Sequence, residues 1–217
     1  MSKKPFIIIP AFNEEKTIKK VVKSIKRHCK NIIVVDDGSF DNTYKQAKKS
    51  GAKVIKLETN KGYDQALEIG FEYAIEKNAT SLISMDGDGQ HPTEFLPIMI
   101  SYVEDQKYDL VIGIRKKLPR ISERIFAYIT NLRYSIKDIT CGMKCYKASL
   151  FKKYKFRNNY NSIGTFLSLI SISNGYKFKT IKVPQNKRLD SSRYGTNLFS
   201  ELKIIWAMFK SIYFLLW

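Results

Sequence analysis

The chain has 217 residues, of which 44% are hydrophobic and 27% charged. This length and composition predict one globular domain, or one domain with a short appendage, with a full core, and exclude a disordered chain. Lys and Arg number 38 against 20 Asp and Glu, so the formal net charge is +18. So strong a positive charge predicts an anionic partner: nucleic acid, an anionic membrane surface or a phosphorylated substrate.

Cysteine and histidine usage argues against a structural metal site. Cys29, Cys141 and Cys145 lack the C-x-x-C spacing of zinc sites, and the chain has only two histidines. Free thiols favour a reducing compartment, so we expect a cytoplasmic protein. No uncharged apolar run approaches the roughly 18 residues that a membrane span needs.

Strand and helix patterns alternate through the first half of the chain. Apolar runs rich in β-branched residues predict strands at 6–9, 32–35, 54–57, 82–85 and 110–114. Helices are predicted at 14–30, from Asp41 or Asn42 to near Gly51, at 62–77 and at about 93–105. Four such βα repeats predict an α/β fold: a mostly parallel central sheet with helices on both faces.

The second half of the chain is less regular. Its patterns predict a helix at 123–134, a strand at 142–146, a helix at 162–173 and a last strand at 178–183. The polar, glycine-containing segment 184–196 is predicted to be a mobile loop over the site.

Polar clusters follow the first four predicted strands. They are Asn13-Glu14-Glu15, Asp36-Asp37-Gly38-Ser39, Asn60-Lys61-Gly62, and the pair Asp86 and Asp88. Ligands of parallel α/β sheets bind at the carboxyl ends of the strands, so these clusters predict one common site.

Asp86 and Asp88 are the most specific feature of this edge. Two carboxylates one residue apart, flanked by glycines, suit a divalent cation such as Mg²⁺ or Mn²⁺ that also carries a diphosphate. Gly87 lets the backbone and a phosphate approach closely. The alternative is an ordinary Asp-Gly turn.

Six motifs, in the same order, resemble those of the family 2 glycosyltransferases, especially the branch that transfers sugars to dolichyl and polyprenyl phosphates. They are Ile9-Pro10-Ala11-Phe12-Asn13-Glu14-Glu15, Val34-Val35-Asp36-Asp37-Gly38-Ser39, Asn60-x-Gly62 with Ala66 and Gly70, Asp86-x-Asp88-x-Gln90-His91-Pro92, Asp109-Leu110-Val111-Ile112-Gly113-x-Arg115, and Asp138-x-x-Cys141-Gly142. The resemblance implies a GT-A fold, a nucleotide-sugar donor and inversion at the anomeric carbon.

The resemblance also implies roles for individual residues. It assigns donor binding to Pro10, Asn13, Glu14, Asp36, Asp37, Gly62, Asp86, Gly87, Arg115 and Arg188. Asp86, Asp88 and Gln90 are expected to place the cation on the diphosphate, and Arg115 is expected to face phosphate oxygens. A cation and an arginine there would stabilise the charge of the leaving diphosphate, which makes Asp88 a catalytic candidate. We expect His91 to be structural.

Two acceptors remain open. If the acceptor is a sugar hydroxyl on a lipid carrier, a carboxylate must take its proton, and Asp138 is the candidate base. If the acceptor is a polyprenyl phosphate, it is already anionic and needs cations instead. By analogy with the family, Arg120, Ser122 and Arg124 are the candidates for binding that phosphate.

The last segment, 197–217, is predicted to be an amphipathic helix that follows a catalytic domain at 1–196. Its apolar face carries Trp206 and Tyr213, which favours a helix lying at the membrane interface. Packing on the catalytic domain or on a second copy, as in a homodimer, is the alternative. Together with the charge, this segment predicts an enzyme peripheral to the inner face of the cytoplasmic membrane. The resemblance implies a role in cell-surface glycan synthesis.

A nucleic-acid-binding protein is the competing hypothesis, since it would use the same positive charge. It predicts interleaved aromatic and basic residues or a known binding motif, and the sequence contains neither. It also leaves Asp86 and Asp88 unexplained.

Overall fold

The computed structural model describes residues 2–154, 163–186, and 202, 205, 206 and 208–210. Its strands are β1 (Pro5–Ala11), β2 (Ile32–Asp36), β3 (Lys53–Lys56), β4 (Ser81–Ser84), β5 (Leu110–Arg115), β6 (Lys144–Lys147) and β7 (Phe178–Val183). Its helices are α1 (Ile18–Ile25), α2 (Thr43–Lys49), α3 (Tyr63–Glu76), α4 (Leu96–Glu104), α5 (Ile121–Tyr134), α6 (Ala148–Lys153) and α7 (Ile163–Ser173). A 3₁₀ turn, Thr93–Phe95, leads into α4.

The seven strands form one sheet in the order β3-β2-β1-β4-β6-β5-β7. All neighbouring pairs are parallel except those of β6, which runs antiparallel to both β4 and β5. The chain builds outward from β1 to β3 and then resumes on the other side of β1 with β4. The strand order therefore reverses between β1 and β4, which is where ligands bind in sheets of this kind.

Each face of the sheet is covered by its own apolar core. Ile7, Ile9 and Val34 face one side and pack with the buried faces of α1 and α4. Ile8, Ile33 and Val35 face the other side and pack with α3, α6 and α7. Successive side chains of a strand point to opposite faces, so continuously apolar strands require helices on both sides.

The predicted α/β class and mostly parallel sheet are confirmed, but three details differ. The first helix is shorter than 14–30, because residues 13–17 form the turn that leads to the site and the helix ends at Ile25. Helix α6 was not predicted. The strand predicted at 142–146 is β6, and its insertion between β4 and β5 was also not predicted.

The tail combines buried and exposed apolar side chains. Met208 is buried and Ile205 partly buried against the core on the α3 and α7 side. Leu202, Trp206 and Phe209 remain 53%, 57% and 59% exposed. Of the described tail residues, Met208 and Ile205 thus pack on the core, while Leu202, Trp206 and Phe209 do not. Within the described parts of the chain, no helix is both long and apolar enough to cross a membrane.

Candidate active site

The loops after β1 and β2 are joined to each other by side-chain hydrogen bonds. Asn13, with a left-handed φ of 54°, donates its backbone N–H to Ser39 Oγ at 2.9 Å, and its Oδ1 accepts from Phe40 N at 3.0 Å. The Glu14 N–H donates to Thr43 Oγ1 at 2.7 Å. Asn13 and Glu14 therefore shape the edge that was predicted to receive the donor, and Pro10 lies just below them, buried in β1.

Asp36 and Asp37 have different surroundings. Both oxygens of Asp37 accept backbone N–H groups of the next loop, from Lys61 at 2.7 Å and Gly62 at 2.9 Å. The Asp37 carboxylate thus holds this loop against the site, and direct donor binding by Asp37 stays a prediction. Gly62 directly precedes α3 and has a φ of 92°, which glycine adopts without strain.

The two carboxylate oxygens of Asp36 differ in their hydrogen bonding. Its Oδ1 accepts from Ser39 N at 3.1 Å, whereas its Oδ2 is buried without a hydrogen-bond partner among the described residues. A buried acceptor left unsatisfied costs about 1–3 kcal/mol. A ligand N–H or O–H at this end of β2 would remove that cost.

Asp86 is oriented by two neighbours that sequence reasoning did not assign to it. Tyr63 Oη donates to its Oδ1 at 3.1 Å, and His91 Nε2 lies 2.9 Å from its Oδ2. Burial would raise the pKa of Asp86, but the contacts with His91 and Tyr63 and the charge of Arg115 outweigh it, so the pKa lies below its ordinary value. Asp86 is therefore held as a carboxylate whose side chain is 33% exposed.

Gly142 leaves the space that this carboxylate occupies. A Cβ at position 142 would lie 2.5 Å from both carboxylate oxygens of Asp86. The Gly142 carbonyl also accepts from Ser84 Oγ at 2.8 Å, which fixes the backbone there. The Cys141-Gly142 motif thus has a local physical reason, because only glycine fits against Asp86.

We expect Gly142→Ala to lower sugar transfer by about 100-fold, because a misplacement of about 1 Å in a reacting group has that effect. Asp86 would have to leave Tyr63 and His91 to make room for the new methyl group. Both the rate of sugar transfer and the melting temperature are measured for each variant. Gly70→Ala is the matched control, since its Cβ would lie 2.3 Å from Ile8 in the core. The control should lower the melting temperature and spare the rate; equal rate losses in both variants would contradict this role.

Asp88 and Gln90 form a tight turn beside Asp86. Asp88 is 7% exposed, and its Oδ1 accepts from Gln90 N at 2.9 Å. Among the described residues, no group of three or more acidic, histidine or cysteine side chains forms a complete cation site. Asp86 and Asp88 nevertheless fit a cation that arrives with a diphosphate, since Mg²⁺ usually takes only one or two carboxylates. The side chain of Asp86 is 33% exposed, so its carboxylate can be reached by such a ligand.

Arg115 and Asp138 form a buried ion pair. Arg115 Nε donates to Asp138 Oδ2 at 2.7 Å and Nη2 donates to Oδ1 at 3.0 Å, while Glu123 Oε1 lies 3.3 Å from the guanidinium. The Arg115 guanidinium contacts Asp138 and Glu123, and its expected contact with phosphate oxygens stays a prediction. Asp138 was predicted to be a base for a hydroxyl acceptor, but its side chain is fully enclosed.

The electrostatics of Asp138 also disfavour a proton acceptor. Burial raises the pKa of Asp138, but the hydrogen bonds and charge of Arg115 outweigh it and hold the pKa below the ordinary value of 3.8. A lowered pKa makes a carboxylate a weaker base. Arg115 and Asp138 together connect the end of β5 to the segment that precedes β6.

The predicted acceptor residues lie at the start of α5. Arg120 precedes the helix and contacts Glu123, Ser122 is buried in the first turn, and Arg124 is exposed with Nε 3.3 Å from the Leu118 carbonyl. Arg124 is thus exposed and Ser122 buried, whereas Arg120 contacts the Glu123 carboxylate that Arg115 also contacts.

The predicted late loop begins next to the acidic pair. Asn186 donates its N–H to the Gln90 carbonyl at 2.9 Å and its side-chain amide to the Gly89 carbonyl at 3.3 Å. Arg188 lies outside the described residues.

Sequence comparison finds sugar transferases along the whole chain. The family model described as "Glycosyl transferase family 2" matches residues 6–159. A UDP-N-acetylglucosamine–dolichyl-phosphate N-acetylglucosaminyltransferase of Methanococcus voltae is 30% identical, over 94% of both chains. A dolichyl-phosphate hexose transferase of Haloferax volcanii is 26% identical, over 86% of this chain and 85% of the other.

Structural comparison agrees on the fold. Glucosyl-3-phosphoglycerate synthase of Mycobacterium tuberculosis, in complex with Mn²⁺, UDP-glucose and phosphoglyceric acid, superimposes with a TM-score of 0.77. The match covers 97% of this chain and 80% of the other at 16% identity. The GT-A fold predicted from the motifs is thereby confirmed. The nucleic-acid hypothesis gains no support from these matches.

Proposed function

Since the chain belongs to glycosyl transferase family 2 and is a glycosyltransferase, we propose that it moves one sugar from a nucleotide sugar to a polyprenyl phosphate at a membrane surface. The bond between the anomeric carbon and the donor diphosphate breaks, and a bond from that carbon to an acceptor phosphate oxygen forms. The nucleoside diphosphate leaves with the electron pair of the broken bond. Attack from the opposite face inverts the anomeric carbon, and the product serves cell-surface glycan synthesis.

The enclosure of Asp138 is the observation that carries the choice of acceptor. A sugar hydroxyl must lose a proton on attack, whereas a phosphate is already ionised and needs no base. The one carboxylate that the motifs nominated as a base is instead paired with Arg115. The names of the two archaeal relatives, both of which contain dolichyl phosphate, support the same acceptor.

The donor would lie across β2, β1 and β4. Asp36 Oδ2 would accept a hydrogen bond from a nucleoside N–H or O–H. The loop that Asp37 holds through the N–H groups of Lys61 and Gly62 would border the nucleoside. Asp86 and Asp88 would hold Mg²⁺ or Mn²⁺ against the diphosphate, with Gln90 beside them. Such a cation, when bound, neutralises the charge that develops on the leaving group. Asn186 holds the start of the late loop next to this point, and a contact of Arg188 with the diphosphate stays a proposal from the motif.

Helix α5 provides a surface suited to lipid. Ile121, Ile125, Tyr128 and Leu132 are 67%, 43%, 66% and 70% exposed, and their spacing places them on one face of the helix. Basic residues flank this apolar face: Lys116, Lys117, Arg124, Arg133 and Lys137. Exposed apolar side chains flanked by basic residues favour binding to the surface of an anionic bilayer.

We expect the double variant Ile121→Ser with Leu132→Ser to lose at least about tenfold in affinity for anionic vesicles, since each large apolar side chain contributes about 1.5–3 kcal/mol when buried. Vesicle flotation measures the bound fraction. Phe40→Ser is the control, because Phe40 is 90% exposed elsewhere on the molecule. Removing 198–217 tests the tail separately. Undiminished binding of the α5 variant would contradict a lipid-facing α5.

Thermal shift with nucleotide sugars tests the donor half of the proposal. A ligand that binds only the native state raises its melting temperature. UDP-, GDP- and dTDP-sugars are compared, each with and without Mn²⁺. We expect one of the nucleotide sugars to raise the melting temperature, and we expect Mn²⁺ to make that rise larger. A folded sample that responds to none of them would refute the proposed donor.

A further inference from the structure

Lys144 is the first residue of β6, and its position follows from the direction of that strand. Because β6 is antiparallel to β4 and β5, its first residue lies opposite Ser84, the last residue of β4, and opposite Ile112 in the middle of β5. Asp86 follows Ser84 by two residues, and Gly142, against Asp86, precedes Lys144 by two. Lys144 therefore belongs to the floor of the site, although no motif singled it out.

The side chain of Lys144 is directed toward α3 and the first turn of α7. A Cβ added to Gly164 would lie 3.7 Å from Lys144 Nζ and 3.6 Å from Tyr146 Oη. Tyr146, two residues further along β6, points to the same side and donates to the Gly164 carbonyl at 2.7 Å. The lysine is only 3% exposed.

The ammonium group has no hydrogen-bond partner among the described residues. Asp64, Asp86 and Asp138 are close enough to influence it electrostatically. Each of the three has other partners: Asp64 accepts from Ile163 N at 2.7 Å, Asp86 is held by Tyr63 and His91, and Asp138 by Arg115. Burying a cation without a hydrogen-bonded partner is unfavourable, and burial lowers the pKa of Lys144 to about 8. A buried lysine with a lowered pKa near the acidic pair is a candidate for ligand binding.

The sheet order places Lys144 on the acceptor side. Asp36, whose Oδ2 has no hydrogen-bond partner among the described residues, is the last residue of β2, and Asp86 follows β4. The strands β2 and β4 are two strand spacings apart, or roughly 10 Å. Lys144 is on β6, one strand further in the same direction. Arg115, on the next strand, is already occupied by Asp138 and Glu123. Within the described part of the chain, Lys144 is thus a cation that lies past the diphosphate position without a hydrogen-bonded carboxylate.

We propose that Lys144 binds the phosphate of the acceptor and holds one of its oxygens toward the anomeric carbon of the donor. This role rests on the proposed function, since it presumes a phosphate acceptor. A charge-assisted hydrogen bond from the ammonium group would remove the cost of its burial and fix the direction of attack. It also gives the enzyme a means to prefer a phosphate over a neutral hydroxyl.

The test compares the wild type with Lys144→Met, which keeps the length of the side chain and removes its charge. Farnesyl phosphate is the acceptor probe, with binding measured by calorimetry and transfer measured from the donor that the thermal-shift panel selects. Lys147→Met is the matched control on the same strand, because Lys147 points to the other face of β6 and pairs with Asp109 at 2.8 Å. Removing an unpaired buried charge should not lower the melting temperature.

The expected result is at least about a tenfold weaker binding of farnesyl phosphate and a correspondingly higher KM in Lys144→Met, with unchanged donor affinity. Unchanged farnesyl phosphate binding in this variant, while the wild type binds and transfers, would overturn the role of Lys144 alone. An equal loss of donor affinity would assign Lys144 to the diphosphate and overturn the acceptor role. A wild type that neither binds nor glycosylates farnesyl phosphate would overturn the phosphate acceptor itself, and Lys144 with it.

Discussion

Asp88→Asn is expected to lower sugar transfer by about 100- to 1,000-fold, the usual effect of removing one electrostatic contact from a charged transition state. The asparagine Oδ1 can still accept from Gln90 N, so the turn after Asp86 should survive. What disappears is the negative charge that holds a cation on the diphosphate. The measurement is the single-turnover rate across a Mn²⁺ titration. Asp88→Ala should lose the same activity and, in addition, the bond that orders the turn.

Asp105→Ala is the control for Asp88. Asp105 lies at the end of α4, where its carboxylate pairs with Lys3 on the surface. Helix α4 runs back from the site, so this aspartate is at the far edge of the sheet. The control should keep the wild-type rate and metal dependence. Full activity in Asp88→Asn, with an unchanged response to Mn²⁺, would contradict the assignment of the acidic pair.

Asp138→Ala is expected to destabilise the fold by about 3–5 kcal/mol, because it leaves Arg115 buried without its main partner. Urea unfolding followed by circular dichroism measures this change. The double variant Arg115→Met with Asp138→Leu should recover much of the loss, since apolar pairs often replace buried ion pairs without penalty. A catalytic base would behave differently: its removal would abolish transfer and leave the free energy of unfolding nearly unchanged, and that outcome would contradict the structural role.

The pH dependence of this effect has a definite sign. The pKa of Asp138 is lower in the folded state than in the unfolded chain, so its stabilising contribution is present at neutral pH and is lost as the pH falls through the folded-state pKa. The stability difference between the wild type and Asp138→Asn should therefore shrink in acid, below pH 3.8, the ordinary value.

Periodicity and motif order were sufficient for the architecture. Continuously apolar strands separated by amphipathic helices predicted the parallel sheet. Asp36 and Asp86 were expected at the same edge of it, because each follows or ends a parallel strand at its carboxyl end. The insertion of β6 could not be predicted, because strand pairing depends on packing between distant segments and leaves no local pattern. The position of Lys144 in the site depends on that insertion, so it could not be predicted either.

The roles of individual side chains were harder to predict than their positions. A motif shows that Asp37, Arg115 and Asp138 lie near the site, but not which of their atoms are already hydrogen-bonded. In the structure all three are engaged within the protein, whereas Asp36 retains an unpaired oxygen. His91 was expected to be structural, and its contact with Asp86 shows what it supports. Tyr63 gave no signal in the sequence, since a tyrosine at a helix start is common.

The most direct test of the central claim is transfer of a radiolabelled sugar to farnesyl phosphate by the full chain in the presence of Mn²⁺. The donor is the nucleotide sugar selected by thermal shift, and a lipid-linked saccharide without a free phosphate is offered in parallel. If the acceptor is a polyprenyl phosphate, we expect a labelled prenyl-phosphate sugar, formed with inversion at the anomeric carbon, and no product from the saccharide. Label transferred only to the saccharide hydroxyl would contradict it.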